Sequence, residues 1–293
     1  MSPSAPGTSV PRSRREFLVL GGVVALGGLV AACGSSDSDG GVADGFVLAK
    51  RFPASKALVP GEVRLPLSLA DQNAALLTKG PDTLRGTIRD EQGTTITEFE
   101  APRRGTGLSV PYWSITATIP TKGLYTLAVE GAVGDPAAFM VFDPSEVTVP
   151  SPSMVLPPFD TPTLTDARGV DPVCTRTDGP CPFHDVTFSD ALAGGKPVVY
   201  IIGTPAHCQF ATCGPGLEFL IGASKEYADV ATFVHAEVYA DPAGTEVAPA
   251  VDAASLDYEP VIWITDASGT ITRRIDIVWD ADELAAMLAS SLG

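Results

Sequence analysis

Residues 198–215 read VVYIIGTPAHCQFATCGP: a continuous apolar run, then a turn-forming loop that carries His207, Cys208 and Cys213, then Gly-Pro. The run 198–202 is short and mostly β-branched, the pattern of a central strand buried on both faces. From Pro215 to Ala228, Leu217, Leu220 and Ile221 recur at helical spacing, and TFVHAEVYA (232–240) is a second buried strand. Strand, helix, strand predicts a parallel pair, since a crossover of that length returns the chain in the same direction. Upstream, Ser189 is placed to cap a short helix, DALAG, that stops at Gly194-Gly195. Downstream, 241–257 carries few ordering signals. VIWIT (261–265), a DASG turn and TITRRIDIVW (270–279) then read as an antiparallel hairpin. Asp280 with Glu283 resembles a capping box opening a last helix whose face is Leu284, Met287, Leu288 and Leu292.

The N-terminal half has a different period. FVLAKRF, EVRLPLSLAD, TLRGTIRD, TTITEFEA, WSITATIP, LYTLAVEG and AAFMVFD succeed one another between Phe46 and Asp143, separated by turn chemistry such as Asp90-Glu91-Gln92-Gly93. That many short strands predict a β-sandwich. The stretch Gly123-Leu124-Tyr125-Thr126-Leu127-Ala128-Val129 resembles the Gly-x-Tyr-x-Cys-x-Val strand of immunoglobulin-like domains, with Leu127 in place of the cysteine. This half has no histidine and no cysteine, so it reads as a spacer or partner-binding module. Residues 144–172 then lose periodicity in a proline-rich stretch, an extended connector whose Val155, Leu156 and Phe159 suggest that it lies against a surface.

At the front, Arg14-Arg15 precede an apolar run, 17–32, too short and glycine-rich to span a membrane as a helix, which reads as an export signal. The arrangement resembles a twin-arginine signal, and Val30-Ala31-Ala32-Cys33 resembles a bacterial lipobox. The resemblance implies that Cys33 is lipidated and that the protein is anchored on the extracytoplasmic face of the cell membrane. The organisation expected is therefore a signal over 1–33, a tether over 34–45, a sandwich over 46–143, a connector over 144–184 and an α/β domain over 185–293. The formal charge of −16 argues against nucleic acid or an anionic lipid surface as the partner.

The order βαβ followed by ββα, with a cysteine just after the first strand, resembles the thioredoxin fold. VVYIIGTPAHC matches the strand and turn that deliver the reactive cysteine, and Glu259-Pro260-Val261 matches the cis-proline loop. This resemblance implies Cys208 as nucleophile, Pro260 shaping the substrate groove and, because Ala211 stands where the family has its second cysteine, Cys213 as the resolving thiol. The family's buried acid falls on Ile202. Cysteines with four residues between them also occur in one peroxiredoxin subgroup, but Thr204-Pro205 lies one residue too far from Cys208 and Pro260 replaces the peroxide-orienting arginine. As a whole the chain resembles exported lipoproteins of actinobacterial type with an immunoglobulin-like domain before a thioredoxin-like one. The motifs that carry this are Cys174-Thr175-Arg176, Cys181-Pro182-Phe183-His184-Asp185 and Cys208 through Pro215.

The function expected is thiol-disulfide exchange with thiols or disulfides of exported proteins, with His207 tuning the Cys208 thiolate at a helix N-terminus. The alternative is a binding module whose disulfides are structural. Setting Cys33 aside leaves Cys174, Cys181, Cys208 and Cys213, and local pairings cost least loop closure, so Cys174 and Cys181 are expected to form a structural bridge. Other readings of that region are a second redox pair, or a copper or zinc site from Cys181, His184, Cys208 and His207. No standard metal spacing is present, so no metal and no cofactor are expected. His235, mid-strand, reads as a satisfied core histidine, and Trp263 and Trp279 as core.

Overall fold

The computed structural model describes residues 45–208 and 211–293. Arg14, Arg15 and Cys33 lie outside the described residues. Seven strands, β1 (Val47–Lys50), β2 (Gly61–Ala70), β3 (Thr83–Asp90), β4 (Thr95–Arg104), β5 (Tyr112–Ile119), β6 (Gly123–Val129) and β7 (Ala137–Val141), come first. They pair antiparallel throughout in the order β1-β2-β5-β4-β3-β6-β7. The β4–β5 link is only Arg103 and Arg104 opposite Trp113 and Tyr112. Strand β4 therefore leaves one sheet for the other just after Pro102, whose missing N–H suits the break. Leu65, Leu67, Leu69, Trp113 and Ile115 of one sheet meet Leu84, Ile88, Tyr125, Leu127 and Phe139 of the other in a single core. Tyr125 Oη donates to the Thr121 carbonyl at 2.8 Å, the corner that ties such strands in immunoglobulin-like sandwiches.

The second unit contains α1 (Phe188–Ala193), β8 (Val198–Ile202), α2 (Cys213–Tyr227), β9 (Thr232–Ala236), α3 (Pro249–Ala253), β10 (Val261–Thr265), β11 (Ile271–Asp276) and α4 (Ala281–Leu292). Its sheet runs β11-β10-β8-β9, with β8 and β9 parallel and the other neighbours antiparallel. Each residue of β8 and β10 is buried because both faces are covered. Tyr200 and Trp263 pack under α1 and α3 on one side, while Val199, Ile201, Ile262 and Ile264 face α2 and α4 on the other. The cap of α1 is Thr187, not Ser189: the Thr187 hydroxyl accepts from the Asp190 N–H at 3.0 Å. None of the helices among the described residues is long and apolar enough to cross a membrane.

The connector lies along the edge of β11, where Ser153 N–H donates to Ile271 O and Ile271 N–H to Met154 O. Leu156 is buried, whereas Val155 points outward. The two units meet at a polar contact that the sequence pattern did not announce. Asp280 caps α4 as expected, accepting from Glu283 N–H at 2.9 Å. The Glu283 carboxylate does not complete the capping box; it turns to the sandwich and takes hydrogen bonds from Arg64 (2.7 and 2.8 Å), Tyr112 Oη (2.6 Å) and Ser114 Oγ (2.7 Å). Burial alone would raise the Glu283 carboxyl, but the Arg64 charge and these hydrogen bonds outweigh it and lower it to about 2. Arg274 adds a second tie, donating to Ala57 O at 2.7 Å and to Ser151 Oγ at 2.8 Å.

Candidate functional site

Strand β8 ends at Ile202, and the chain then passes through Gly203 and a loop to Cys208 before α2 starts at Cys213. Cys208 and Cys213 are joined by a disulfide, with Cα atoms 5.9 Å apart. A regular helix would turn the two side chains away from each other. The bond forms because Cys208 sits in the loop and only Cys213 belongs to the helix. Thr212, at the helix start, is fixed by its hydroxyl donating to Ile277 O at 2.8 Å. The two sulfurs are unequal: Cys208 is half-buried and Cys213 is 2% exposed. The Cys213 N–H points at Cys208 Sγ at 3.2 Å, so the free amide at the helix N-terminus favours negative charge on that sulfur.

Behind the pair lies the loop before β10. The Glu259–Pro260 peptide is cis, and Pro260 packs so closely on Gly203 that a Cβ there would sit 3.1 Å from the proline Cβ. Glu259 Oε2 lies 3.6 Å from Cys213 Sγ and accepts the Thr204 N–H at 3.1 Å. Sequence reasoning placed the family's acid at Ile202 and found it missing. The structure puts a buried carboxylate beside Cys213 from a different strand end. An acid immediately before the loop proline was the available signal. The His207 ring stands edge-on to Tyr239, centroids 5.6 Å apart, and lies over Gly244, so its position is set by the 239–244 segment. Among the described residues, the polar groups against the two sulfurs are the Cys213 amide and Glu259.

The other two cysteines depart from expectation. Cys174 and Cys181 are not bridged; both are free and buried. Their thiols, His184 and His235 converge, with one ligand atom from each lying within 4.8 Å of all the others. The reason is a backbone tie: His235 N–H in β9 donates to Phe183 O at 3.1 Å, which sets the 181–184 segment beside that strand. His235 Nδ1 then stands 3.7 Å from Cys174 Sγ, 3.4 Å from Cys181 Sγ and 3.1 Å from His184 Nε2. A hydrogen bond from the Cys181 thiol, supported by His184 and His235, holds the Cys174 thiol far below the usual cysteine range, and sharing that hydrogen bond pushes Cys181 far above it. Of the metal set considered from sequence, Cys181 and His184 belong here, but Cys208 and His207 do not. Their places are taken by Cys174 and His235, which is buried as expected and also faces the two thiols and His184. A histidine in a strand of mostly apolar residues was the sequence signal, at a separation of 51 residues from His184.

No family model matches the chain, and no curated protein matches it. Among solved structures, the chain is similar to the crystal structure of the Lin-41 filamin domain, with 17% identity and a TM-score of 0.23 over 32% of this chain and 91% of that one. It is also similar to the solution structure of the PKD domain from human VPS10 domain-containing receptor SorCS2, with 17% identity and a TM-score of 0.18 over 39% of this chain and 98% of that one.

Proposed function

We propose that the C-terminal unit is thioredoxin-like and that the protein performs thiol-disulfide exchange with exported proteins at Cys208–Cys213. The observation that carries the reading is the asymmetry of the pair: a reachable sulfur at a helix N-terminus, and a buried one beside the Glu259 carboxylate. In the oxidised form, a substrate thiolate attacks Cys208 Sγ, the Cys208–Cys213 bond breaks, and Cys213 leaves as a thiolate that takes a proton at the Glu259 side. A second substrate thiolate then attacks the substrate sulfur of the mixed disulfide and releases Cys208. The substrate dithiol has become a disulfide and the protein a dithiol, with two electrons transferred; the reverse sequence reduces a substrate disulfide, with Glu259 taking the proton from Cys213 as it attacks. Pro260, packed on Gly203 next to the pair, borders the surface on which an extended substrate chain would lie. Export and lipid anchoring, read from Arg14, Arg15 and Cys33, would place this chemistry where disulfides persist.

The test is reduction of insulin disulfides, or refolding of a scrambled substrate, by the purified chain. Activity absent in Cys208→Ala is expected. Wild-type activity no higher than that control would leave the binding-module reading, in which the bridge is structural.

A further inference from the structure

The buried cluster behind the exchange loop has no role in that chemistry, and its hydrogen bonding is incomplete in an informative way. His235 Nε2 is 2.9 Å from the Gly203 carbonyl. A carbonyl only accepts, so Nε2 carries the proton and Nδ1 presents its single lone pair to the cluster. Around that lone pair stand two sulfurs and an imidazole nitrogen, only one of which can donate to it. His184 Nδ1, buried, has no hydrogen-bond partner. Two thiols and the His184 Nε2 thus compete for one lone pair, and a cation in place of the thiol protons would let all four atoms act as ligands at once.

Their spacing has the size of a coordination shell. An ion held by sulfur at about 2.3 Å and imidazole nitrogen at about 2.0–2.1 Å in a tetrahedron separates its ligand atoms by about 3.3–3.8 Å. The three distances from His235 Nδ1, at 3.1, 3.4 and 3.7 Å, are of that order. Two of the four ligands also have partners. Gly203 orients the His235 ring, and the Cys181 N–H approaches Cys174 Sγ at 3.4 Å, as amides do toward metal thiolates. The four residues are at most 6% exposed, and Phe183 stacked on Phe233 helps to cover them. Two thiolates would cancel the charge of a divalent ion, the condition for keeping it in an apolar shell.

We propose that Cys174, Cys181, His184 and His235 bind one zinc ion in a closed tetrahedral site. The set has no open position, so the ion is structural. It clips the segment before α1 to β9, and through His235 and Gly203 it braces the loop that carries Cys208. Thr175 joins the same brace, its hydroxyl accepting from Ala206 N–H at 3.1 Å. The proposal stands apart from the exchange reading: either could hold without the other.

The experiment is metal analysis of the purified full chain, produced with zinc supplied and then dialysed. About one zinc per chain is expected, retained in the double variant Cys208→Ser/Cys213→Ser and lost in Cys181→Ser and in His235→Ala. Because the variants at buried positions can unfold, the wild-type chain is also loaded with cobalt(II), for which the intense visible absorption of a tetrahedral ion and a sulfur-to-cobalt band are expected. Absence of both stoichiometric zinc and the cobalt–thiolate band overturns the site. So does a Cys174–Cys181 disulfide in protein made with zinc present, and copper taken up in preference to zinc overturns the choice of ion.

Discussion

The two cysteine pairs of the C-terminal unit look alike in sequence, each closing a short polar loop, yet one is bridged and the other open. Cys208 and Cys213 have each other as nearest chemistry: a loop brings one sulfur to the first turn of α2, and no imidazole stands between them. Cys174 and Cys181 have third parties, two histidines delivered by β9 and by the segment tied to it. Spacing decides which cysteines can reach each other, and what else arrives at the same place decides what they do. A part-buried polar cluster, Arg64–Glu283 with Tyr112 and Ser114, supplies the contrast: there each charge has its partner and nothing is left for an ion to satisfy.

The strongest way to break the distinction is to exchange the lesions. Cys208→Ala should reduce exchange activity to background while leaving the melting temperature close to wild type. Cys181→Ala should do the reverse, lowering the melting temperature with chemistry at Cys208–Cys213 retained wherever the chain stays folded. Equal loss of activity in both would mean that the pairs work as one redox system.

Next in size is the interdomain cluster. Glu283→Ala leaves the part-buried Arg64 without its carboxylate partner and should cost about 2 kcal/mol in urea unfolding. The same contact has an acid signature. The Glu283 carboxyl is lowered in the folded chain from its ordinary 4.5 to about 2, so its contribution is complete above 4.5 and is lost as the pH falls towards 2. Wild type should lose stability through that window more steeply than Glu283→Gln. Parallel curves would show the ion pair to be unimportant, and would remove the contrast with the histidine–cysteine cluster.

A sharper probe of the bridged pair is Glu259→Gln, expected to slow resolution of a Cys208 mixed disulfide at neutral pH by about a hundredfold, the scale of a lost proton acceptor. The mixed disulfide should accumulate and be visible by mass spectrometry. Unchanged kinetics would remove Glu259 from the exchange reading. The smallest effect is expected at His207. Its ring packs on Tyr239, so His207→Ala should change the iodoacetamide rate of reduced Cys208 by less than about twofold, against the tuning role that adjacency suggested. A large fall in that rate near neutral pH would restore the role.

Much of the local structure was legible in the sequence, because it is set by short-range periodicity. The alternating strands of the N-terminal half, the doubly buried run at 198–202, the amphipathic face at Leu217 and Leu220 and the Asp280 cap each follow from neighbours within a few residues. The cap of α1 was misplaced by two residues, since Thr187 and Ser189 offer the same hydroxyl and only the backbone turn selects between them. Composition and cysteine count bounded the chemistry to thiols, but contacts made across long separations were decided by the tertiary structure alone. Glu259 reaches Cys213 across 46 residues, His184 meets His235 across 51, and Glu283 finds Arg64 across 219. A side chain's local pattern records which face it occupies, whereas its partner on that face depends on how sheets and helices pack. That is why the sequence by itself could number the cysteines and propose a bridge, and only the folded chain could put two imidazoles beside the sulfurs of one pair and a carboxylate behind the other.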